Sequence, residues 1–303
     1  MRLTPVFDTS AILNLSKRHP SDALWPLLNR SIPAKGCPLS FVTVLELFLG
    51  LRRAERDRLT HSLKALTVAS RLSRRKVLLH PIAFVEKELF GIRSPGHERS
   101  RENLKRWLGS AMRPNFESDL ISGTANFVDL EKIENLFIVG RKGYIGFLEQ
   151  FLDRINPGWR VARSMSGSAL SENERDRLKR TTPVGVWKRD AAKRFLECIP
   201  VEPTLDAINT MSYRCDANLT LTVSVLRDVL MTNYRFEENW NDFNDEMQLL
   251  YLSRPSYCFV TEDARLIGRV KQSSQSSRIL TIDQFVSACG LPSKTMNVPT
   301  LSA

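Results

Sequence analysis

The chain has 303 residues, of which 42% are hydrophobic and 8% aromatic, and this is enough for a substantial core. Its 44 Lys and Arg residues outnumber its 33 Asp and Glu residues, so the formal net charge of +11 favours either a polyanionic partner or plain solubility. No apolar run approaches the ~20 residues that cross a bilayer and no signal-peptide pattern opens the chain, so we expect a cytoplasmic protein without a membrane partner. The five cysteines form no CxxC pair, so we expect neither a disulfide framework nor a zinc site.

The first third of the chain alternates short apolar runs with helical patterns. Strands are predicted over residues 3–7, 38–42 and 77–79. Helices are predicted over about 10–16, 21–29, 44–51, 52–72 and 83–90. Thr43 is the predicted N-cap of the third of these, and Glu46 lies three residues later. This alternation is typical of an α/β fold.

The middle of the chain, over residues 112–238, is predicted to be mainly helical. A basic helix over 98–111 precedes it, and helical runs over 127–155 are expected to be interrupted at 140–146, where three glycines lie. Residues 157–171 are rich in Ser, Gly and Arg and predict a loop, while 172–180, 187–197 and 203–231 predict helices.

The last segment returns to short strands. An apolar-periodic run that begins near Asp245 leads into a buried strand over residues 257–260, and a strand over 279–282 and a helix over 283–289 follow. Residues 291–303 predict a loose tail.

Four carboxylates occupy comparable places in these patterns. Asp8 and Asp263 each lie at a predicted strand-to-helix junction, and open α/β sheets bind ligands beyond the carboxyl ends of their strands. Glu46 and Asp245 lie at the starts of helical patterns. Taken singly, each acid could be a helix cap or a turn former, but together they predict a site. Asp242, one helical turn before Asp245, could replace it or act as a fifth acid, and we expect the neighbouring Asn241 to cap the helix rather than contact the site.

Four sequence motifs in this order resemble the PIN domain, a metal-dependent nuclease fold. They are VFDTSAIL, TVLELFLG, NDFNDEMQLLYL and YCFVTEDARLI. The 18 residues from Asp245 to Asp263 accommodate the helix, loop and strand that the family arrangement requires. The resemblance implies a single PIN-like domain over residues 1–303: an α/β fold with a mostly parallel central sheet flanked by helices, a core at about 1–91 and 239–290, and a large helical insertion over 112–238.

The resemblance also implies a chemistry. Asp8, Glu46, Asp245 and Asp263, with Asp242 as the further candidate, would bind Mg²⁺ or Mn²⁺, since hard carboxylate oxygens suit these ions. Residues that orient these ligands would be Thr9, Thr43, Thr261 and, less directly, Asn241. The expected activity is hydrolysis of phosphodiester bonds by metal-activated water, with RNA as the substrate on the resemblance alone. The alternatives are a catalytically silent nucleic-acid or protein-binding module, or a toxin with an antitoxin-like protein partner.

Basic residues in the insertion are candidates for contacting RNA. They concentrate in two predicted helices and are Arg175, Arg177, Lys179, Arg180, Lys188, Arg189, Lys193 and Arg194. The alternative is a solvated helix face, because interspersed acids such as Glu174 and Asp190 could form i,i+4 pairs.

Overall fold

The computed structural model describes residues 3–289 except 20, 55, 112, 114, 122–127, 156–157, 159–160, 162–170, 182–183, 233 and 236–237. The described chain is mostly helical and contains a small parallel sheet of β1 (Thr4–Phe7), β2 (Tyr257–Val260) and β3 (Ile279–Leu280). In this part of the chain, no helix has both the length and the apolarity needed to cross a membrane.

The sheet joins the two ends of the sequence. Strand β1 pairs in parallel with β2 along its whole length, from Thr4 opposite Tyr257 to Phe7 opposite Val260, and β3 pairs in parallel with the other side of β2. On the far side of β1, single parallel bridges connect Phe7 to Leu39 and Leu39 to Val77. The early chain therefore lies on one side of β1 and the late chain on the other. This reversal of winding creates a crevice at the carboxyl end of β1.

Six helices lie in the described part of residues 3–110. They are α1 (Thr9–Lys17), α2 (Leu24–Ser31), α3 (Phe41–Arg52), α4 (Arg56–Ser73), α5 (Pro81–Phe90) and α6 (Pro95–Ser110). Side chains define several of their ends: Asp8 caps α1 by accepting from the Ala11 backbone nitrogen at 2.7 Å, and Gly91, with φ of 71°, ends α5.

Helix α3 begins earlier than the sequence pattern predicts. The predicted strand over residues 38–42 is wrong, since only Leu39 takes part in a bridge and the helix starts at Phe41. The cap is Ser40, whose side chain accepts from the Thr43 backbone nitrogen at 3.0 Å, so the prediction of Thr43 as N-cap is also wrong. Glu46 consequently lies in the second turn of α3.

The middle region supplies six more described helices. They are α7 (Phe116–Ile121), α8 (Val128–Ile155), α9 (Glu172–Thr181), α10 (Val184–Glu197), α11 (Leu205–Arg214) and α12 (Asp216–Met231). The predicted interruption at 140–146 is wrong because α8 is continuous, and the predicted helix over 203–231 is two helices separated at Cys215. The predicted loop over 157–171 and the tail over 291–303 lie almost entirely outside the described residues.

The final segment completes the core. Helix α13 (Trp240–Leu249) runs into a 3-10 turn (Leu250–Ser253), and α14 (Ala264–Arg269), a second 3-10 turn (Ser276–Arg278) and α15 (Ile282–Ala288) follow. Rings from distant segments meet in the core: Phe7 contacts Phe285 at 6.0 Å between centroids, and Phe41 stacks on Phe137 of α8 at 6.1 Å. The observed parallel sheet flanked by helices confirms the prediction of an α/β fold as a class.

Candidate acidic cleft

A cleft of about 450 Å³ opens at the carboxyl ends of β1 and β2. Five acids line it: Asp8, Glu46, Asp245 and Asp263 come from four separate segments, and Glu134 of α8 is paired with Arg52 and Arg53. Asp8 follows β1 directly, Asp263 lies three positions after the end of β2, and Glu46 and Asp245 lie on α3 and α13. The sheet topology thus brings together side chains that are up to 255 positions apart in sequence.

Asp8 is fixed between β1 and β2. Its backbone nitrogen donates to the Val260 oxygen at 3.0 Å, and its carboxylate accepts from Ser10 Oγ at 2.9 Å and Thr261 Oγ1 at 2.6 Å. The side chain is only 4% exposed. Burial raises the pKa of Asp8 to about 7, although the hydrogen bonds from Thr261, Ala11 and Ser10 oppose that rise.

Glu46 is held from two directions. The Thr9 hydroxyl donates to one carboxylate oxygen and the Asn244 amide nitrogen donates to the other at 2.5 Å. Burial raises the pKa of Glu46, while these two hydrogen bonds and the positive charge of Arg141 oppose the rise. Thr9 therefore orients a cleft acid.

Asp245 is surrounded by other acids. Burial, followed by the charges of Glu46, Asp263 and Asp8, raises the pKa of its carboxyl to about 8. Among the described residues, no hydrogen-bond donor or cationic side chain pairs with the Asp245 carboxylate. The cleft thus contains a carboxylate that a bound cation would neutralise.

Asp263 caps the next helix. Its Oδ1 accepts from the Arg265 and Leu266 backbone nitrogens at 2.8 and 3.0 Å. Thr261 connects it to Asp8, because the Thr261 hydroxyl accepts from the Asp263 backbone nitrogen at 3.0 Å and donates to Asp8. Thr261 therefore sets the relative position of two cleft acids.

Asp242 lies outside the cleft. It is 3% exposed, accepts from the Tyr234 hydroxyl at 2.6 Å and forms an ion pair with Arg269 at 2.7 Å. Its charge is compensated there by a cation. The geometry therefore places Asp245, rather than Asp242, with the other three acids.

The other two residues predicted to orient the ligands, Thr43 and Asn241, differ in their relation to the cleft. Thr43 is buried and donates to the Phe7 oxygen at 3.1 Å and to Gln248 at 3.0 Å, so it connects α3 to β1 and α13 rather than to a cleft acid. Asn241 lines the cleft. The prediction that Asn241 caps α13 is wrong, because the cap position is Asn239.

The cleft also has a basic wall that the sequence analysis missed. Arg141 of α8 donates to the Asn244 oxygen at 2.9 Å, and Arg53 at the end of α3 pairs with Glu134 of α8 at 2.5 Å. Both arginines line the cleft. The sequence contains little indication of this wall. Arg141 lies beside the glycines that predicted a break in the helix, and its spacing from the four acids follows no recognisable pattern.

The basic residues predicted to contact RNA lie elsewhere. Lys188 pairs with Asp216 at 2.5 Å and Arg194 with Asp190 at 3.9 Å, whereas Arg177, Arg189 and Lys193 are exposed. The side chains of Arg175, Lys179 and Arg180 lie outside the described part of the chain. None of the described members of this set lines the acidic cleft.

The donor chemistry of the cleft suits a hard divalent cation. Carboxylate, amide and hydroxyl oxygens line it, and no His or Cys does so among the described residues. In the present side-chain positions, no three His, Cys, Asp or Glu residues of the described chain are close enough together to hold a metal ion. The reason is visible in the contacts: Asp8, Glu46 and Asp263 are each turned toward a hydrogen-bond donor of the protein. Ion binding therefore requires changes in these side-chain conformations.

Comparisons with protein-family models, with curated proteins and with solved structures give no match to this chain. What the fold and the cleft define is a parallel α/β protein with four acids at its topological switch point.

Proposed function

We propose that this protein is a Mg²⁺- or Mn²⁺-dependent phosphodiesterase that cleaves RNA, with a PIN-like arrangement of its core. The observation that carries the proposal is the convergence of Asp8, Glu46, Asp245 and Asp263 in one cleft at the carboxyl ends of parallel strands. Such a concentration of carboxylates is unfavourable in the absence of a cation. The choice of RNA follows from the resemblance of the four motifs to the PIN family.

In this proposal the four acids would hold a divalent ion, and that ion would supply a water of lowered pKa and stabilise charge on the phosphate. Thr261 and Thr9 position Asp8 and Glu46 in the cleft without the ion, and these two carboxylates would turn from their donors toward it. Asp245 would contribute a carboxylate that accepts no hydrogen bond from the described residues, and Asp263 would provide its second oxygen while the first caps α14. No side chain is required as the nucleophile.

The basic wall complements this acidic floor. A substrate phosphodiester carries a negative charge that four acids alone would repel. Arg141 and Arg53 line the same cleft, and guanidinium groups bind phosphate oxygens through paired N–H donors. We assign these two arginines the role of drawing the phosphate toward the ion.

The test is a cleavage assay with single-stranded and structured RNA and DNA, in Mg²⁺, in Mn²⁺ and in EDTA. We expect RNA cleavage only with a divalent ion, and a loss of at least ~100-fold in Asp245→Asn, since even residues that merely orient metal ligands contribute about 10- to 100-fold. Asp206→Asn is the matched control, because Asp206 is an exposed acid in the first turn of α11. Undiminished cleavage in EDTA, or by Asp245→Asn, would contradict the proposal. Absence of cleavage under all these conditions would instead favour a silent binding module.

A further inference from the structure

A second cleft lies at the opposite edge of the sheet. It has a volume of about 520 Å³ and is lined by Thr4 and Tyr257, the first residues of β1 and β2, so it opens at the amino ends of the strands. The acidic cleft opens at their carboxyl ends. The two clefts are therefore separated by the length of the sheet.

The charge of this second cleft is entirely positive. Lys35, Lys76, Lys105 and Arg254 line it, and within the described residues no Asp or Glu does so. Lys105 and Arg254 have acidic neighbours outside the cleft, at 2.8 Å to Glu102 and 3.6 Å to Glu88. Lys35 and Lys76 have no ion-pair partner in the part of the chain that the structure describes.

Two tight turns hold Lys35 and Lys76 side by side. Gly36 adopts a φ of 79°, and a Cβ at this position would lie 2.8 Å from the Ser73 backbone oxygen, so the turn before α3 contacts the turn after α4 directly. Backbone hydrogen bonds from Cys37 to Leu72 and from Leu39 to Lys76 fix this approach. The second turn contains Arg74 and Arg75 with φ of 48° and 64°. Left-handed backbone is unfavourable for residues with side chains, and such strain is concentrated at functional sites.

We infer that this amino-edge cleft binds the phosphodiester backbone of a single nucleic-acid strand, independently of whether the acidic cleft is a nuclease site. Lys35 and Lys76 line this cleft without an ion-pair partner among the described residues, beside the partly offset Lys105 and Arg254, and this arrangement is suited to successive phosphates rather than to one carboxylate. Binding there keeps a strand on the protein at a position remote from the acidic cleft.

The amino-edge cleft is suited to binding the charged phosphates and not to distinguishing one base from another. The ring of Tyr257 is covered on one side by the Arg254 guanidinium, 5.3 Å from its centroid, and lies beside Phe84 at 6.0 Å, so it is not open for a base to stack on it. No aromatic platform for bases is therefore available from Tyr257. We expect RNA and DNA of the same sequence to bind there with similar affinity.

The test is equilibrium binding of a fluorescent single strand of about 12 nucleotides, as RNA and as DNA, from about 50 to about 200 mM salt with EDTA present. EDTA prevents metal-dependent cleavage, so the result does not depend on the proposed activity. In Lys35→Gln/Lys76→Gln we expect affinity at about 100 mM salt to fall on the order of tenfold, and the salt slope to become shallower by about 1.4, since each phosphate contact on a single strand contributes about 0.7.

Two control pairs sharpen this test. Lys35→Arg/Lys76→Arg keeps the charge and should retain binding, while Arg58→Gln/Lys64→Gln removes the same charge from exposed positions on α4 and should leave the slope unchanged. An unchanged slope in the Lys35→Gln/Lys76→Gln variant, or a change only in the α4 pair, would overturn the inference. Inorganic phosphate or a mononucleotide displacing the strand at about 1 mM, beyond the general salt effect, would also overturn it, because it would indicate a single-phosphate pocket.

Discussion

At the level of single residues, Asp245 differs from the other three cleft acids in what surrounds it. Asp8 and Glu46 accept hydrogen bonds from hydroxyl and amide groups, and Asp263 caps a helix. For Asp245, burial is the largest cause that raises the pKa to about 8, and the charges of Glu46, Asp263, Asp8 and Asp242 add to it. The ionisation of Asp245 should therefore affect both cation binding and the stability of the fold more than that of the other three acids.

We predict that the metal-free protein loses stability as the pH rises from about 5.5 to about 8.5. The pKa of Asp8 rises to about 7 and that of Asp245 to about 8 in the folded protein, from 3.8. At a pH between 3.8 and these raised values, the two carboxyls are protonated in the folded state and ionised in the unfolded chain. The stabilisation present at low pH is therefore lost as pH passes through about 7 and 8. Thermal unfolding in EDTA across this range measures the effect, and Mg²⁺ should raise the midpoint more at high pH.

A comparison of variants identifies the groups responsible. Asp245→Asn should flatten the pH dependence and raise the midpoint near pH 8 in EDTA, because it removes the like-charge repulsion. The buried Glu246, whose pKa burial also raises to about 8, contributes a slope of the same sign, and Glu246→Gln measures its share. A midpoint in EDTA that increases from about pH 5.5 to about 8.5 would show that these carboxyls are already ionised in the fold.

At the level of elements, the sequence predicted where β1 and β2 end more accurately than where helix α3 begins. The runs before Asp8 and Asp263 are short, apolar and closed by polar residues, so both strands were predictable. The start of α3 was not, because eight of its twelve residues are buried, Phe41 and Val42 among them, and a helix buried on most of its surface has no clear 3.6-residue pattern.

Helix α8 shows a second limit of sequence patterns. Its glycines cost about 1 kcal/mol each relative to Ala in a helix interior, which favoured the prediction of a break. Packing outweighs this cost: Phe137 stacks on Phe41, Tyr144 lies against Phe243, and Gly140 lets the Phe243 ring approach closely. The placement of Arg141 at the acidic cleft depends on this tertiary packing, so spacing alone could not have predicted it.

Helix α14 depends on one largely buried arginine side chain, and its removal should be strongly destabilising. Arg269 pairs with Asp242 at 2.7 Å and with Asp228, which connects α14 to α13 and α12. Arg269→Met would leave Asp242, whose side chain is 4% exposed, without its buried cation. We expect a loss of about 3 kcal/mol in the free energy of unfolding, measured by chemical denaturation, since removing one member of a buried pair leaves an uncompensated charge.

Arg265 in the same helix is the matched control. It lies 3.6 Å from Asp242 but its side chain is 55% exposed, so Arg265→Met should cost less than about 1 kcal/mol. Equal effects of the two substitutions would mean that the Arg269 pairs contribute no more than a surface contact.

At the level of the whole molecule, the order of the acids along the chain already required its two ends to meet. Asp8 and Glu46 precede the middle region, and Asp245 and Asp263 follow it. The pairing of β1 with β2 brings the ends together. The buried Tyr251 hydroxyl strengthens this connection, since it donates to the Leu79 oxygen at 2.7 Å and accepts from the Phe41 nitrogen at 3.2 Å. That residues 1–303 form a single cooperative domain remains a prediction.

Deleting residues 239–303 tests this prediction. The truncated chain loses β2 and β3, which leaves the hydrogen-bonding edge of β1 unpaired, and it loses the Phe285 ring that contacts Phe7. We expect the remaining 1–238 to show no sharp thermal transition by circular dichroism and to lack slowly exchanging amides in β1. Deletion of 291–303 alone is the control and should leave the transition unchanged. A 1–238 fragment that unfolds sharply and protects the β1 amides would demonstrate that the early chain folds without the late chain, and the acidic cleft would then have to assemble between independent units.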